Sequence, residues 1–287
     1  MVLHSVLLSL GIALSVCAAE TNAHRPDRVV TYKTVGDVTL KLHVFEPAGL
    51  KTNDQRAAIV FFFGGGWNSG EAKQFFQQAR VMAGQGMVAF SADYRVKSRN
   101  KTTPFECLQD AKSALRWVRA HAPELGVDPN RIVASGGSAG GHLAACTSLI
   151  AGGEEADENL KISSTPNALI LFNPVLDTTE RGFGAKEFKP EQQTTLSPCH
   201  QVRKGIPPTI LFHGTADKTV PFENAERFTK LMKAAGNDCV LVPFAGKGHG
   251  FFNGTFFRPQ SDGADFDLTM KRSSEFLTAH GFLPVKK

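Results

Sequence analysis

Arg131-Ile132-Val133-Ala134-Ser135-Gly136-Gly137-Ser138-Ala139-Gly140-Gly141-His142 is the stretch in which the α/β character of the chain is plainest. It begins as a short apolar strand at residues 132–134, runs through the pattern G-x-S-x-G, and enters a helical stretch over residues 139–150. A serine on so tight a strand-to-helix turn needs small neighbours, because its own backbone is strained and the turn crowds the flanking positions. The amino terminus of the helix behind it favours negative charge developing nearby. Ser138 is therefore the candidate nucleophile.

Working outward, residues 57–63, 87–92, 168–172 and 209–212 are continuous apolar runs, the pattern of strands buried on both faces. Between and after them, residues 105–121, 222–235 and 268–280 have helical spacing, and residues 240–244 read as a last strand. Alternation of this kind predicts an α/β fold with a mostly parallel central sheet and helices on both faces. Residues 29–32 and 38–45 alternate with period two around Gly36-Asp37, which predicts an antiparallel hairpin at the amino-terminal edge. Residues 152–165 and 176–202 lack periodicity, and the second is long enough for a small lid over a site. The expectation is a single domain over residues 24–287.

Residues 1–19 contain no Lys, Arg, Asp or Glu, and an apolar run over residues 6–16 ends in Cys17-Ala18-Ala19. The run is short for a bilayer span, so residues 1–23 read as a signal peptide and the mature protein as secreted or periplasmic, not inserted in a membrane, with an uncleaved anchor or a lipoprotein joined at Cys17 as the alternatives. Hydrophobic residues at 42%, charged residues at 21% and a net charge of +5 are ordinary for a globular chain. The basic residues are scattered, which argues against a nucleic-acid surface. Cys107, Cys146, Cys199 and Cys239 are widely spaced and match no metal-ligand pattern, so no metal or cofactor is expected. Asn100-Lys101-Thr102 and Asn253-Gly254-Thr255 fit the glycosylation pattern of a eukaryotic host.

Phe63-Gly64-Gly65-Gly66-Trp67 follows the first buried strand. Three glycines there let backbone N–H groups point into a cavity, as acyl transfer requires where a tetrahedral intermediate carries its charge. Gly65 and Gly66 are the expected donors, with the N–H of Ala139 as the third. Among nine histidines, His249 stands between glycines in Gly246-Lys247-Gly248-His249-Gly250-Phe251-Phe252, which suits a base reaching across strand ends. His142, on the helix behind Ser138, is expected to point into the fold, and His213 to be structural. Asp217, directly after a buried strand, is the expected acid, with Asp177 as runner-up. Trp67 and Phe251, together with Phe252, flank these positions and are candidates to line a substrate pocket.

Taken together, FFFGGGW, SADYR, DAKSALRWVR, GVDPNRIVASGGSAGGHLA, LFHGTADKTVPF and GKGHGFFN make the chain resemble α/β-hydrolase esterases related to hormone-sensitive lipase, in particular the compact bacterial branch with acetylxylan- and feruloyl-type esterases. The resemblance covers roughly residues 57–252. It implies an α/β-hydrolase fold, with Ser138, Asp217 and His249 at the carboxyl ends of strands five, seven and eight. It also implies cleavage of carboxylic esters, either small molecules or decorated polysaccharides, without a cofactor. Two departures stand out: Phe63 replaces the histidine that usually precedes the three glycines, and the long amino-terminal cap of many relatives is missing. Exopeptidases resembling prolyl oligopeptidase, and a catalytically inactive binding protein on the same fold, are the alternatives.

Overall fold

The computed structural model describes residues 24–285, so the expected signal peptide lies outside the described residues. Eight strands form one sheet in the order β1-β2-β4-β3-β5-β6-β7-β8. Arg28–Val35 (β1) and Val38–Phe45 (β2) form the expected hairpin, and β2 runs antiparallel to Val88–Ala92 (β4). From there Arg56–Phe62 (β3), Val127–Gly137 (β5), Ala168–Phe172 (β6), Thr209–Gly214 (β7) and Cys239–Phe244 (β8) pair in parallel. β4, β6 and β7 are buried at every position, which is why they read as unbroken apolar runs.

Among the described residues, six α-helices flank the sheet. Phe76–Gly84 (α1) lies between β3 and β4, and Lys97–Asn100 (α2) is a single turn after β4. Pro104–Ala120 (α3) starts with Pro104 in its first turn, behind a capping box between Thr103 and Glu106, which explains its sharp onset. Ala139–Leu149 (α4) follows Ser138, Phe222–Ala234 (α5) precedes β8, and Ala264–Ala279 (α6) closes the chain.

The helical period does not reveal α1, because Gln78 on its inner side is fully buried and donates to Phe252 O at 3.3 Å. A polar residue on the core face hides the apolar stripe. α6 begins four residues before the apolar pattern, with Asp265 and Asp267 in its first turn, where carboxylates favour the positive end of the helix dipole.

Between β6 and β7, residues 176–202 form no α-helix but three short turns, Ala185–Glu187, Pro190–Gln192 and Pro198–His200. Residues 152–165 are also irregular, and their acids clamp basic residues of α3, of β1 and of the segment after β4. Glu154 meets the buried Lys112 and Arg116, while Glu155 meets Lys33 and Arg95. The four cysteines are buried free thiols.

Candidate active site

Ser138 sits at φ 55°, ψ −122°, a strained conformation for a residue with a side chain. The neighbouring glycines make the turn sterically feasible. A Cβ on Gly136 would lie 2.5 Å from the Gly140 carbonyl group and 2.6 Å from Phe62 O, and one on Gly140 would come closer still to Phe62 O. The serine backbone is pinned on the sheet side, with its N–H donating to Phe172 O at 2.9 Å and its carbonyl accepting from Val175 N–H at 3.3 Å.

The strand order brings β7 and β8 round so that Asp217 and His249, distant in sequence, meet Ser138. His249 Nε2 lies 3.0 Å from Ser138 Oγ, and its Nδ1 lies 2.7 Å from Asp217 Oδ2. An ionised carboxylate only accepts hydrogen bonds, so Nδ1 carries the proton and Nε2 is left to accept from the serine hydroxyl.

The Asp217 side chain is fully buried. Burial alone would raise its pKa, but hydrogen bonds from His213 and His249, the Val220 N–H and the charge of His249 outweigh it and hold the carboxyl well below the usual carboxylate range. The Thr219 N–H adds a bond to Oδ1 at 2.8 Å, and Asn173 Nδ2 donates to Oδ2 at 2.8 Å. Asn173, at the end of β6, escapes the sequence reading. Its only signal there is a polar residue closing an apolar strand. Asp177, the runner-up acid, lies elsewhere: Arg227 Nη1 and the Thr179 N–H and hydroxyl satisfy it.

The glycine loop over residues 63–67 is held by Gln74 on one side and Tyr94 on the other. Gln74 Oε1 accepts from Gly64 N–H at 2.7 Å, while Gln74 Nε2 donates to Asn253 Oδ1 at 3.1 Å. Asn253 Nδ2 in turn donates to Gly250 O at 2.8 Å, so one chain of bonds ties the glycine loop to the loop of His249. Phe63, where the family usually has histidine, stacks on Tyr94 at 4.0 Å, and the Tyr94 hydroxyl donates to Phe63 O at 2.7 Å. Gly65 takes φ 126°, and a Cβ there would overlap Ser69 O, so only glycine permits this path. Among the described residues, no hydrogen bond uses the N–H of Gly65, Gly66 or Ala139, which leaves all three free to serve as donors.

These residues surround a cavity of about 640 Å³, within the range of small-molecule sites. Ser138, His249, Gly65 and Gly66 line it, with Phe183, Phe252 and Phe257 as apolar walls. Trp67 and Phe251, expected in the pocket, are not among its lining. Trp67 takes φ 59° and turns its ring inward, where it is 1% exposed and Nε1 donates to His142 Nδ1 at 3.3 Å. Phe251 packs on Phe244 at 4.3 Å, and its neighbour Phe252 takes the wall position.

His142 is fully buried, and its Nε2 donates to Leu196 O at 2.6 Å. Burial lowers its pKa to about 4, so the ring is neutral and structural. Asn253, in one of the two glycosylation patterns read in the sequence, is 3% exposed in the folded protein with its amide donating to Gly250 O.

A profile of the BD-FAE family matches residues 42–180, and one of the prolyl oligopeptidase family matches residues 164–261. A thermophilic esterase of the planctomycete Thermogutta terrifontis, Est2 with propionate bound, is 51% identical with a TM-score of 0.85, over 91% of this chain and 96% of that one. Esterase LipC of Mycobacterium tuberculosis is 30% identical over 213 residues, 67% of this chain and 52% of its own. An acetylxylan esterase of Xylanibacter ruminicola is 30% identical over 222 residues, 73% of this chain and 44% of its own. The chain thus spans about half the length of these two curated relatives.

Proposed function

The chain belongs to the α/β-hydrolase esterase family, and from that premise we propose that it hydrolyses carboxylic esters through an acyl-enzyme on Ser138. The observation that carries the proposal is the relay from Ser138 Oγ through His249 to Asp217, with links of 3.0 and 2.7 Å, opening on a cavity beside three uncommitted N–H groups. His249 takes the serine proton as Oγ attacks the ester carbonyl. The N–H groups of Gly65, Gly66 and Ala139 receive the developing oxyanion, and Asp217 supports the imidazolium. His249 then protonates the leaving alcohol, and water repeats the sequence on the acyl-enzyme to release the acid.

Short acyl groups are the first substrates to test, given the propionate bound to the Thermogutta esterase. The acetylxylan esterase among the relatives adds acetylated carbohydrate. The apolar run and small residues before Glu20 support export, with the enzyme acting outside the cytoplasm. Residues 176–202 supply Phe183 to the cavity wall, which supports their reading as a small lid.

The test is labelling by a fluorophosphonate and turnover of para-nitrophenyl acetate, in wild type and in Ser138→Ala. Wild type is expected to label and turn over, and the variant to lose labelling and at least about 10⁴-fold in kcat. Turnover that survives in Ser138→Ala would refute the assignment. The prolyl oligopeptidase match over residues 164–261 favours exopeptidase activity as a second reading. Faster cleavage of aminoacyl amides than of para-nitrophenyl acetate would put that reading first.

A further inference from the structure

Most arginines of the described residues are spoken for. Arg28, Arg56, Arg80, Arg95, Arg116, Arg131, Arg227 and Arg272 pair with carboxylates, and Arg119 and Arg203 spend their guanidinium groups on backbone carbonyls. Arg99 and Arg258 have no carboxylate partner, and both line the cavity that holds Ser138. Arg25 and Arg181 are also without a carboxylate, but they lie outside that lining.

The two cations come from different segments of the chain. Arg99 belongs to α2, which is fastened to the glycine loop: Lys97 N–H donates to Trp67 O at 3.0 Å, and Ser98 N–H to Asn68 O at 3.0 Å. Arg258 belongs to the segment after His249, where its Nη1 donates to Gly250 O at 3.3 Å and the rest of its guanidinium is uncommitted. The single carboxylate in the lining is Glu71, which is exposed and forms no ion pair. The walls between are apolar, from Phe183, Phe252 and Phe257. A planar guanidinium with free N–H groups is the preferred partner of a carboxylate.

Resting on the esterase reading, we infer that this cavity selects esters that carry a carboxylate away from the scissile bond, with an apolar body on the phenylalanine walls and the anion at Arg99 and Arg258. The anion sits in the acyl or the alcohol part, and two substrate pairs separate these sources. Para-acetoxybenzoate against para-acetoxybenzamide places the charge on the alcohol, while para-nitrophenyl hydrogen adipate against para-nitrophenyl methyl adipate places it on the acyl group.

The measurement is the ratio of kcat/KM for the charged ester over its neutral partner, in wild type, the double variant Arg99→Gln/Arg258→Gln, and Arg258→Lys. In at least one pair the ratio is expected to fall about five-fold in the double variant, the scale of partly exposed ion pairs. It should hold largely in Arg258→Lys, fall with added salt in wild type, and rise in Glu71→Gln. A role of Arg258 in shaping the His249 loop alone would lower both members of a pair equally. An unmoved ratio in both pairs, with turnover present, therefore overturns this inference alone. No turnover of any ester overturns the esterase reading and this inference with it.

Discussion

Asp217 and Asp110 both have side chains with no exposure to solvent, yet their surroundings make them opposite kinds of carboxylate. Asp110, on α3, is gripped by cations: Arg95 donates from its backbone N–H and from Nε and Nη2, and Lys33 Nζ lies 2.7 Å away. Asp217 has no Lys or Arg against it and is held by two backbone N–H groups, Asn173 and the imidazoles of His249 and His213. A cation pair neutralises its carboxylate and closes the site. Without such a cation the negative charge stays in place and faces the imidazole of His249, whose far nitrogen lies against Ser138 Oγ. Burial of charge serves cohesion in the first case and chemistry in the second, and the partner decides which.

The largest expected effect comes from Asp217→Asn, which keeps the shape of the side chain but not its charge. It should lower kcat by about 10⁴-fold, since His249 would lose the tautomer that accepts the serine proton. The same variant tests a pH effect. Because folding lowers its pKa, Asp217 contributes stability in full above the unfolded value of about 3.9, and this is lost as pH falls below it. Wild type should therefore lose more stability than the variant between about pH 4 and lower values, measured by urea unfolding.

Asp110→Ala should act on stability instead, by about 3 kcal/mol in urea unfolding, because it leaves Arg95 and Lys33 buried without their central carboxylate. The kcat of the folded fraction should stay near that of wild type. A large drop in kcat there would show that the two regions are coupled.

The smallest effect is expected at the link between the loops. Gln74→Leu leaves Gly64 N–H without its acceptor and cuts the bond to Asn253. It should lower kcat by roughly ten-fold with little change in KM, since the oxyanion donors move more than the substrate pocket does. Gln74→Glu, which retains the acceptor, should recover part of the loss.

The sheet and the candidate nucleophile were legible because both follow from local rules. Strands buried on both faces must be apolar throughout, and a serine on a strained turn must have glycines beside it. Asp217 and His249 were legible because each follows a readable strand in the required order. Asn173, Gln74 and Asn253 carried no such mark. Gln74 and Asn253 are 179 positions apart and meet only because the loops after β3 and β8 both leave from the carboxyl ends of the parallel strands. Trp67 was misplaced for a related reason. Adjacency to Gly66 says nothing about which way a ring turns, and its positive φ sends it into the core against His142. α1 stayed hidden because a buried glutamine interrupts its apolar face.

The fold class, the antiparallel edge, the G-x-S-x-G turn and the candidate serine, histidine and aspartate can be read along the chain, because each rests on spacing or on the steric needs of one turn. The tertiary structure decided which aromatic rings face the cavity, which amides hold the two loops together, which aspartate is tied to cations, and that two arginines open on the site unpaired. Those outcomes depend on distances between residues far apart in the chain, and only the packed sheet and its helices set them.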